Sequence, residues 1–343
     1  MTPLSRITAG ILAWNRCDEL RRTLTAVCAM DGMRFLVIDN ASTDGTADML
    51  RNEFGLTPET PDLSESGRIH SGNAGEYGNA GEYGNAGEYG RIHESAPHVR
   101  WVRLGDNIGV AARNLFFDMV GTEFLLTLDD DSWPRSEKDV HRLLDTMESD
   151  NRIASVCAAC VHPDTGIAET RGIERFASTG DSDCGYDVVN IAAGGSLLRM
   201  TAIRETRGYG AEFFWGREEN DLAFQLLQRG WRVVYDPRAV IWHTLSPTGR
   251  QPLSRLHAVT RNSFWLLWKY FPLPVALPAA GLFALRRMLP LLKAPGRAGA
   301  VFGGILDGCR GLPARRRLPD GIRRFTLRES LALRGWFLKL LSE

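Results

Sequence analysis

Long apolar runs, closely spaced cysteines, phosphate-gripping glycine loops and net charge are all scarce in this 343-residue chain. Its most apolar late stretch, Phe271 to Leu292, is broken by four prolines and by Arg286-Arg287, so it falls short of the roughly 20 uninterrupted apolar residues of a spanning helix. The start, Met1-Thr-Pro-Leu-Ser-Arg, lacks the charged beginning, apolar core and small-residue cleavage site of a signal peptide. A cytoplasmic protein that at most lies on a membrane is expected. The six cysteines, at 17, 28, 157, 160, 184 and 309, have neither the density of a disulfide framework nor a paired zinc spacing. Cys157 and Cys160 form a C-x-x-C, but they lie in an apolar run that reads as a strand, which would turn them to opposite faces. Reduced thiols are expected.

No G-x-G-x-x-G follows the first apolar segment, which argues against a dinucleotide-binding dehydrogenase. Ala13-Trp-Asn-Arg-Cys-Asp also lacks the Gly-rich, basic loop with which a nucleotidyltransferase would grip a triphosphate. Lys plus Arg and Asp plus Glu are both 41, yet the balance is uneven, with 13 basic and 4 acidic residues from Leu285 onward. That basic, apolar-rich tail suits anionic lipid or a lipid phosphate, and an ordinary solvated helix face at least as well. No nucleic-acid partner is expected.

What is present alternates. Apolar runs at Ile7–Trp14, Arg34–Ile38, Val99–Leu104 and Glu123–Leu128 are interleaved with segments of helical spacing at Asn15–Met30, Ala47–Phe54 and Val110–Val120. Further helices are expected at Ser136–Ser149, Glu219–Arg229 and Leu256–Tyr270, with strands at Ile153–Val161, Tyr186–Ala192 and Trp231–Tyr235. Such alternation predicts an α/β, mostly parallel sheet with helices on both faces. The polar clusters after Trp14, Ile38 and Leu128 then fall at carboxyl ends of strands, where such sheets bind ligands. A domain over residues 1–250 and a basic helical extension over 251–343, ending in the amphipathic Leu327 to Leu341, are expected. Asn-Ala-Gly-Glu-Tyr-Gly occurs three times in tandem from Asn73 to Gly90. This repeat has no aliphatic positions with which to build a core, so residues 66–95 read as a flexible surface insertion.

The chemistry concentrates at Asp129-Asp130-Asp131, which ends the apolar strand Phe124-Leu-Leu-Thr-Leu. Three carboxylates there must be neutralised, and oxygen ligands suit Mg²⁺ or Mn²⁺ bridging the phosphates of a nucleotide diphosphate. A solvated turn capping the next helix is the plainer alternative. A second acidic cluster, Glu218-Glu219-Asn220-Asp221, opens a helical segment.

In order along the chain, Ala13-Trp-Asn-Arg-Cys-Asp-Glu-Leu, Val37-Ile-Asp-Asn-Ala-Ser-Thr-Asp-Gly-Thr, Asn107-Ile-Gly-Val-Ala-Ala-Arg-Asn, Leu128-Asp-Asp-Asp-Ser-Trp-Pro, Gly216-Arg-Glu-Glu-Asn-Asp-Leu, Trp242-His and Arg261-Asn resemble the family 2 glycosyltransferases. These are inverting enzymes of the GT-A (Rossmann-like) fold. The resemblance covers Ile7 to about Asn262 and implies a nucleotide-sugar (NDP-sugar) donor, a hydroxyl acceptor and a divalent metal. It places Trp14, Asn15, Arg16 and Asp39 at the nucleotide, Asn107 and Arg113 at the donor, and Asp129 near the ribose or sugar, with Asp130 as the spacer of a D-x-D. Asp131, with Asp129 and His243, would hold the metal. Glu219 would be the base that takes the acceptor proton, with Glu218 or Asp221 as alternatives, and Trp215 with Gly194-Gly195 would shape the acceptor pocket. A sugar-nucleotide-forming nucleotidyltransferase and a non-catalytic binding protein on the same fold are the rival readings. The sugar, the base and the acceptor are set by contacts that no motif specifies, and a polysaccharide, a lipid-linked sugar or a small metabolite each fits as acceptor, with the basic tail pointing to a membrane-proximal one.

Overall fold

The computed structural model describes residues 3–61, 99–169, 185–246, 252–271 and 273–311. The repeat-bearing insertion of residues 66–95, Cys184 and the Leu327 to Leu341 segment lie outside the described residues.

Among the described residues ten strands form one sheet: β1 (Ile7–Ala13), β2 (Arg34–Asp39), β3 (Pro58–Glu59), β4 (Val99–Arg103), β5 (Phe124–Asp129), β6 (Ser132–Pro134), β7 (Ile153–Val161), β8 (Tyr186–Asp187), β9 (Ser196–Arg199) and β10 (Arg232–His243). Their spatial order is β3-β4-β2-β1-β5-β9-β7-β10-β6, with β8 also pairing β10. Pairings among β3, β4, β2, β1 and β5 are parallel, as is β7 with β10. The antiparallel β9 sits between β5 and β7, and the antiparallel β6 closes the far edge. The helices are α1 (Cys17–Cys28), α2 (Thr46–Asn52), α3 (Asn114–Met119), α4 (Glu137–Glu148), α5 (Met200–Arg204), α6 (Glu218–Leu227), α7 (Pro252–Tyr270), α8 (Leu273–Met288) and α9 (Ala298–Arg310).

Both sheet faces are covered, which is why the parallel strands are apolar at nearly every position rather than at alternate ones. On one face Leu20, Leu24 and Val27 of α1 and Val140, Leu143 and Met147 of α4 pack with Ala9, Ile11, Val37 and Leu126. On the other, Leu115 and Phe116 of α3, Ala202 and Ile203 of α5 and Leu222 of α6 pack with Leu36, Ile38, Leu125 and Val233. Each such leucine contributes about 1.5–3 kcal/mol by leaving water. Gly10 of β1 is required by this packing, because a Cβ there would lie 2.9 Å from the Phe116 ring. A third apolar cluster joins Phe224 of α6 to Phe264, Trp265 and Tyr270 of α7 and Ala276, Ala279 and Phe283 of α8.

Three elements differ from their sequence-based expectations. The helix expected at Val110–Val120 splits into a 3-10 turn, Gly109–Arg113, and the short α3; Gly109 enters the turn at φ 63°, and the Val110 N–H, which has no acceptor within its own turn, donates to Phe214 O at 2.8 Å. Of the expected Tyr186–Ala192 strand only Tyr186 to Val188 pairs with β10, the Val188 N–H donating to Val233 O at 2.9 Å. The expected Trp231–Tyr235 strand extends to His243, with a bulge between Asp236 and Val240. Pro237 sits in that bulge, where a missing N–H breaks no ladder bond. Among the described residues no helix is long and apolar enough to cross a membrane.

Candidate active site

Register alone brings the polar strand ends together. Ala13 of β1 lies opposite Asp39 of β2, and Leu12 lies opposite Asp129 of β5. Trp14, Asp39 and Asp129 therefore end three adjacent parallel strands, about 4.8 Å apart.

After Ala13 the chain turns sharply, with Asn15 in the left-handed region at φ 53°. The Asn15 amide donates to Ser42 Oγ at 3.0 Å, and its Oδ1 accepts from the Thr43 N–H at 2.7 Å. Asp44 accepts from Thr46 at the start of α2 and from the Cys17 N–H at the start of α1, a turn-and-cap role. Asp39 is fully buried; one oxygen accepts from the Ser42 N–H, while Oδ2 has no hydrogen-bond partner among the described residues and lies 3.6 Å from Arg103. A buried acceptor of this kind invites an external donor. Asn107 instead serves its own loop, its Oδ1 accepting from Asn40 Nδ2 and the Gly109 N–H, both at 2.9 Å.

The three aspartates have separate environments. Asp130 accepts from the Trp14 N–H at 3.1 Å and pairs with Arg16 at 2.8 Å, and its carbonyl accepts from Thr23. It clamps the end of β5 to the turn after β1, more than a spacer would. Burial, opposed by Arg16, pushes its carboxyl up to about 7. Asp129 is paired through Oδ1 with Arg113, which is buried, so this is an internal ion pair rather than a surface one. Burial works against the Arg113 charge, but Asp129 together with Tyr209, Glu219 and Glu218 more than restores it.

Asp131 is fully buried. Its Oδ2 accepts from the Ser246 N–H at 2.7 Å and its Oδ1 lies 3.2 Å from His243 Nε2, contacts that hold its carboxyl down at about 2 against the opposing effect of burial. His243 arrives from the far side of the sheet. The antiparallel pairing of β6 with β10 sets His243 opposite Ser132 and so beside Asp131.

Ligand atoms of Asp129, Asp131 and His243 all lie within 4.8 Å of one another. His243 Nε2 is 3.2 Å from Asp131 and 3.9 Å from Asp129 Oδ2. Adjacent ligands of a six-coordinate Mg²⁺ or Mn²⁺ are about 3 Å apart at bond lengths of ~2.1 Å, so these three groups fit one divalent cation.

Sequence reasoning missed Glu169. A hairpin with a left-handed Gly166 at φ 67° turns the chain back after β7, and the Glu169 N–H donates to Cys160 O at 2.8 Å. This sets the Glu169 carboxylate 2.9 Å from His243 Nδ1. Burial lowers the imidazole, yet Asp131, Cys160 and Glu169 together raise it well above its ordinary value. Pro163-Asp-Thr-Gly166 signals a turn, but no local pattern marks the Glu169 side chain beyond it as a partner for a histidine.

The acidic start of α6 approaches from the other face. Phe214 and Arg217 both have left-handed backbones, at φ 55° and 73°, a conformation that costs about 1–3 kcal/mol per non-glycine residue. Asn262 of α7 holds them, donating to the carbonyls of Phe213, Trp215 and Gly216 at 3.0, 3.0 and 2.6 Å. Arg255 lies over the Trp215 ring. Glu219 is partly exposed and accepts from the Ala193 N–H at 3.3 Å. The next residue, Gly194, faces the metal-fitting cluster, since a Cβ there would lie 2.8 Å from Asp129 Oδ2. Gly195 packs on Cys160 and Ile241, where a Cβ would sit 3.1 Å from each. Burial, then the charges of Glu218 and Asp129, push Glu219 up to about 8.

Glu218 is buried, and burial raises its carboxyl too. Asp221 points into the core, bound by Lys269 Nζ at 2.6 Å, Tyr270 Oη at 2.6 Å and Gln225 Nε2 at 2.9 Å. Its place among the candidate bases is therefore withdrawn, because it anchors α6 to α7 and no acceptor can reach it.

Residues 88–207 match the family described as Glycosyl transferase family 2. A 72-residue stretch is 35% identical to N-acetylglucosaminyl-diphospho-decaprenol L-rhamnosyltransferases of two Mycobacterium tuberculosis strains. That stretch covers 21% of this chain and 24% of those relatives, so the match spans about a quarter of their length. Among solved structures, the mannosyltransferase PcManGT from Pyrobaculum calidifontis, in complex with GDP-Man and Mn²⁺, superposes at a TM-score of 0.52 and 14% identity, over 98% of this chain and 86% of that one. TarS 1–349 of S. aureus superposes at 0.53 and 10% identity, over 98% and 90%. At such identities the likeness is one of fold, and it bears out the GT-A type α/β expectation.

Proposed function

We propose that this chain acts as a family 2 glycosyltransferase and transfers a sugar from a nucleotide-sugar donor to an acceptor hydroxyl with inversion at the anomeric carbon. One observation carries the reading. Glu219 is tied to Ala193 while the adjoining Gly194 faces Asp129, so a partly exposed carboxylate of raised proton affinity and a cation-fitting cluster meet at one two-residue corner.

Asp131, Asp129 and His243 would hold Mg²⁺ or Mn²⁺, which when bound neutralises the diphosphate that departs. Asp39 Oδ2 accepts from the base or ribose. Arg113 orients the Asp129 carboxylate through their ion pair. Glu219 removes the acceptor proton as the acceptor oxygen bonds to the anomeric carbon and the bond from that carbon to the phosphate oxygen breaks. Gly194 keeps the corner narrow enough for donor and base to share it, and Trp215 flanks the acceptor approach.

Release of free nucleotide from a panel of UDP-, GDP- and TDP-sugars, with Mn²⁺ and with EDTA, tests the reading. Metal-dependent release from one donor is expected. Absence of both release and metal-dependent nucleotide-diphosphate binding across the panel sinks it. The Glu169–His243 hydrogen bond gives a second test, because a carboxylate behind a histidine ligand fixes its tautomer and orientation. Glu169→Ala is expected to weaken Mn²⁺ binding about 10- to 100-fold, read from the electron paramagnetic resonance of free Mn²⁺. Glu169→Gln, which still offers an acceptor to Nδ1–H, is expected to retain most of the affinity.

A further inference from the structure

Between Asp236 and Asp307 the chain has no acidic residue and nine basic ones. Within this stretch α8 turns Ala276, Ala279 and Phe283 inward against α7. Its outward side would ordinarily be polar. Instead Leu277, Leu285 and Leu289 are 61, 52 and 55% exposed, and Leu292 in the next turn is 86% exposed. Leu277 and Leu285, eight residues apart, lie on one side of α8, and Leu289 opens the 3-10 turn Leu289–Leu292 that follows it. Leu282 and Met288 of α8 are also exposed. Arg286, Lys293 and Arg297 are exposed in the same segment. With 16 residues and Pro278 inside it, α8 is too short and too interrupted to span a bilayer.

We propose that this outward face, residues 273–292, docks in the plane of an anionic phospholipid bilayer, with the leucines in the acyl boundary and Arg286, Lys293 and Arg297 at the headgroup phosphates. An in-plane helix needs an apolar face and basic flanks, and a basic segment without acidic residues of its own is attracted to anionic lipid. A second copy of the chain fits less well, because two-fold pairing of this face would bring its basic residues towards their own equivalents with no acid to meet them. Docking here does not depend on what the enzyme transfers.

The test is co-sedimentation of the full chain with vesicles of phosphatidylcholine alone and with about one third phosphatidylglycerol, at low and high salt. Wild type is expected to bind the anionic vesicles and to release in part at high salt. Leu285→Glu with Leu289→Glu, both at exposed positions, is expected to lower partitioning about tenfold or more while leaving the thermal midpoint unchanged. Arg286→Glu with Lys293→Glu is expected to abolish the preference for anionic lipid. Equal binding to both vesicle types, or none to either, overturns the proposal. So does full binding by the leucine variant, which would assign attraction to the basic sequence around Arg315-Arg316-Arg317, and so does a change from dimer to monomer in that variant without loss of lipid binding.

Discussion

Replacing Asp131 with asparagine is expected to cut metal-dependent nucleotide release by about a thousandfold, equivalent to about 4 kcal/mol of transition-state stabilisation. The carboxylate is fully buried, contacts His243 and accepts from the Ser246 N–H. Asparagine keeps the size and an acceptor for Ser246, so the fold should survive while the charge needed by a divalent cation is lost. The charge also contributes to stability. The folded-state pKa is depressed to about 2, against an ordinary Asp near 3.9, so this contribution is present above about pH 4 and is lost as pH falls through about 2. A modest drop in thermal midpoint at neutral pH should therefore accompany the kinetic loss. Unchanged release with unchanged Mn²⁺ affinity would remove Asp131 from the metal site.

Glu219→Gln should lower kcat by about 10²- to 10⁴-fold with little change in donor affinity, because general-base assistance acts in the transition state. Its pH behaviour separates it from a packing defect. With a folded-state pKa raised to about 8, the carboxyl is largely protonated at neutral pH. Its contribution to stability is full below about pH 4.5 and is lost as pH rises through about 8. Activity runs the other way, since only the ionised carboxylate takes a proton. A rising limb of kcat/KM with a midpoint at or below about 8 is expected, drawn downward when a cation beside Asp129 offsets the mutual carboxylate repulsion. The limb should vanish in the glutamine variant. If Glu218→Gln loses the limb and Glu219→Gln keeps it, the base is Glu218.

Much of the framework was legible because it is local. Alternating apolar segments place β1, β2 and β5 and their helices within a few residues of where they lie, and polar residues after parallel strands must gather at one edge of the sheet. The acidic opening of α6 is likewise visible, as charges suited to a helix start. Where reading failed, the deciding partner was distant. The start of the Val110 segment is tied across to Phe214, and the Tyr186 strand leaves β10 after Val188. Asp221 looked like its acidic neighbours until Lys269, 48 positions later, closed on it.

Local sequence was enough to set the α/β alternation, the carboxylates at the end of β5 and the acidic cluster that opens α6, because hydrophobic period and capping chemistry act over a handful of residues. Which of those carboxylates face a shared corner was settled by long-range packing. The β6–β10 register carries His243 to Asp131, the Gly166 hairpin carries Glu169 to His243, and Asn262 holds the strained loop that presents Glu219. Each of these contacts joins residues tens of positions apart, and their meeting is set by sheet order and side-chain packing, which no local pattern encodes.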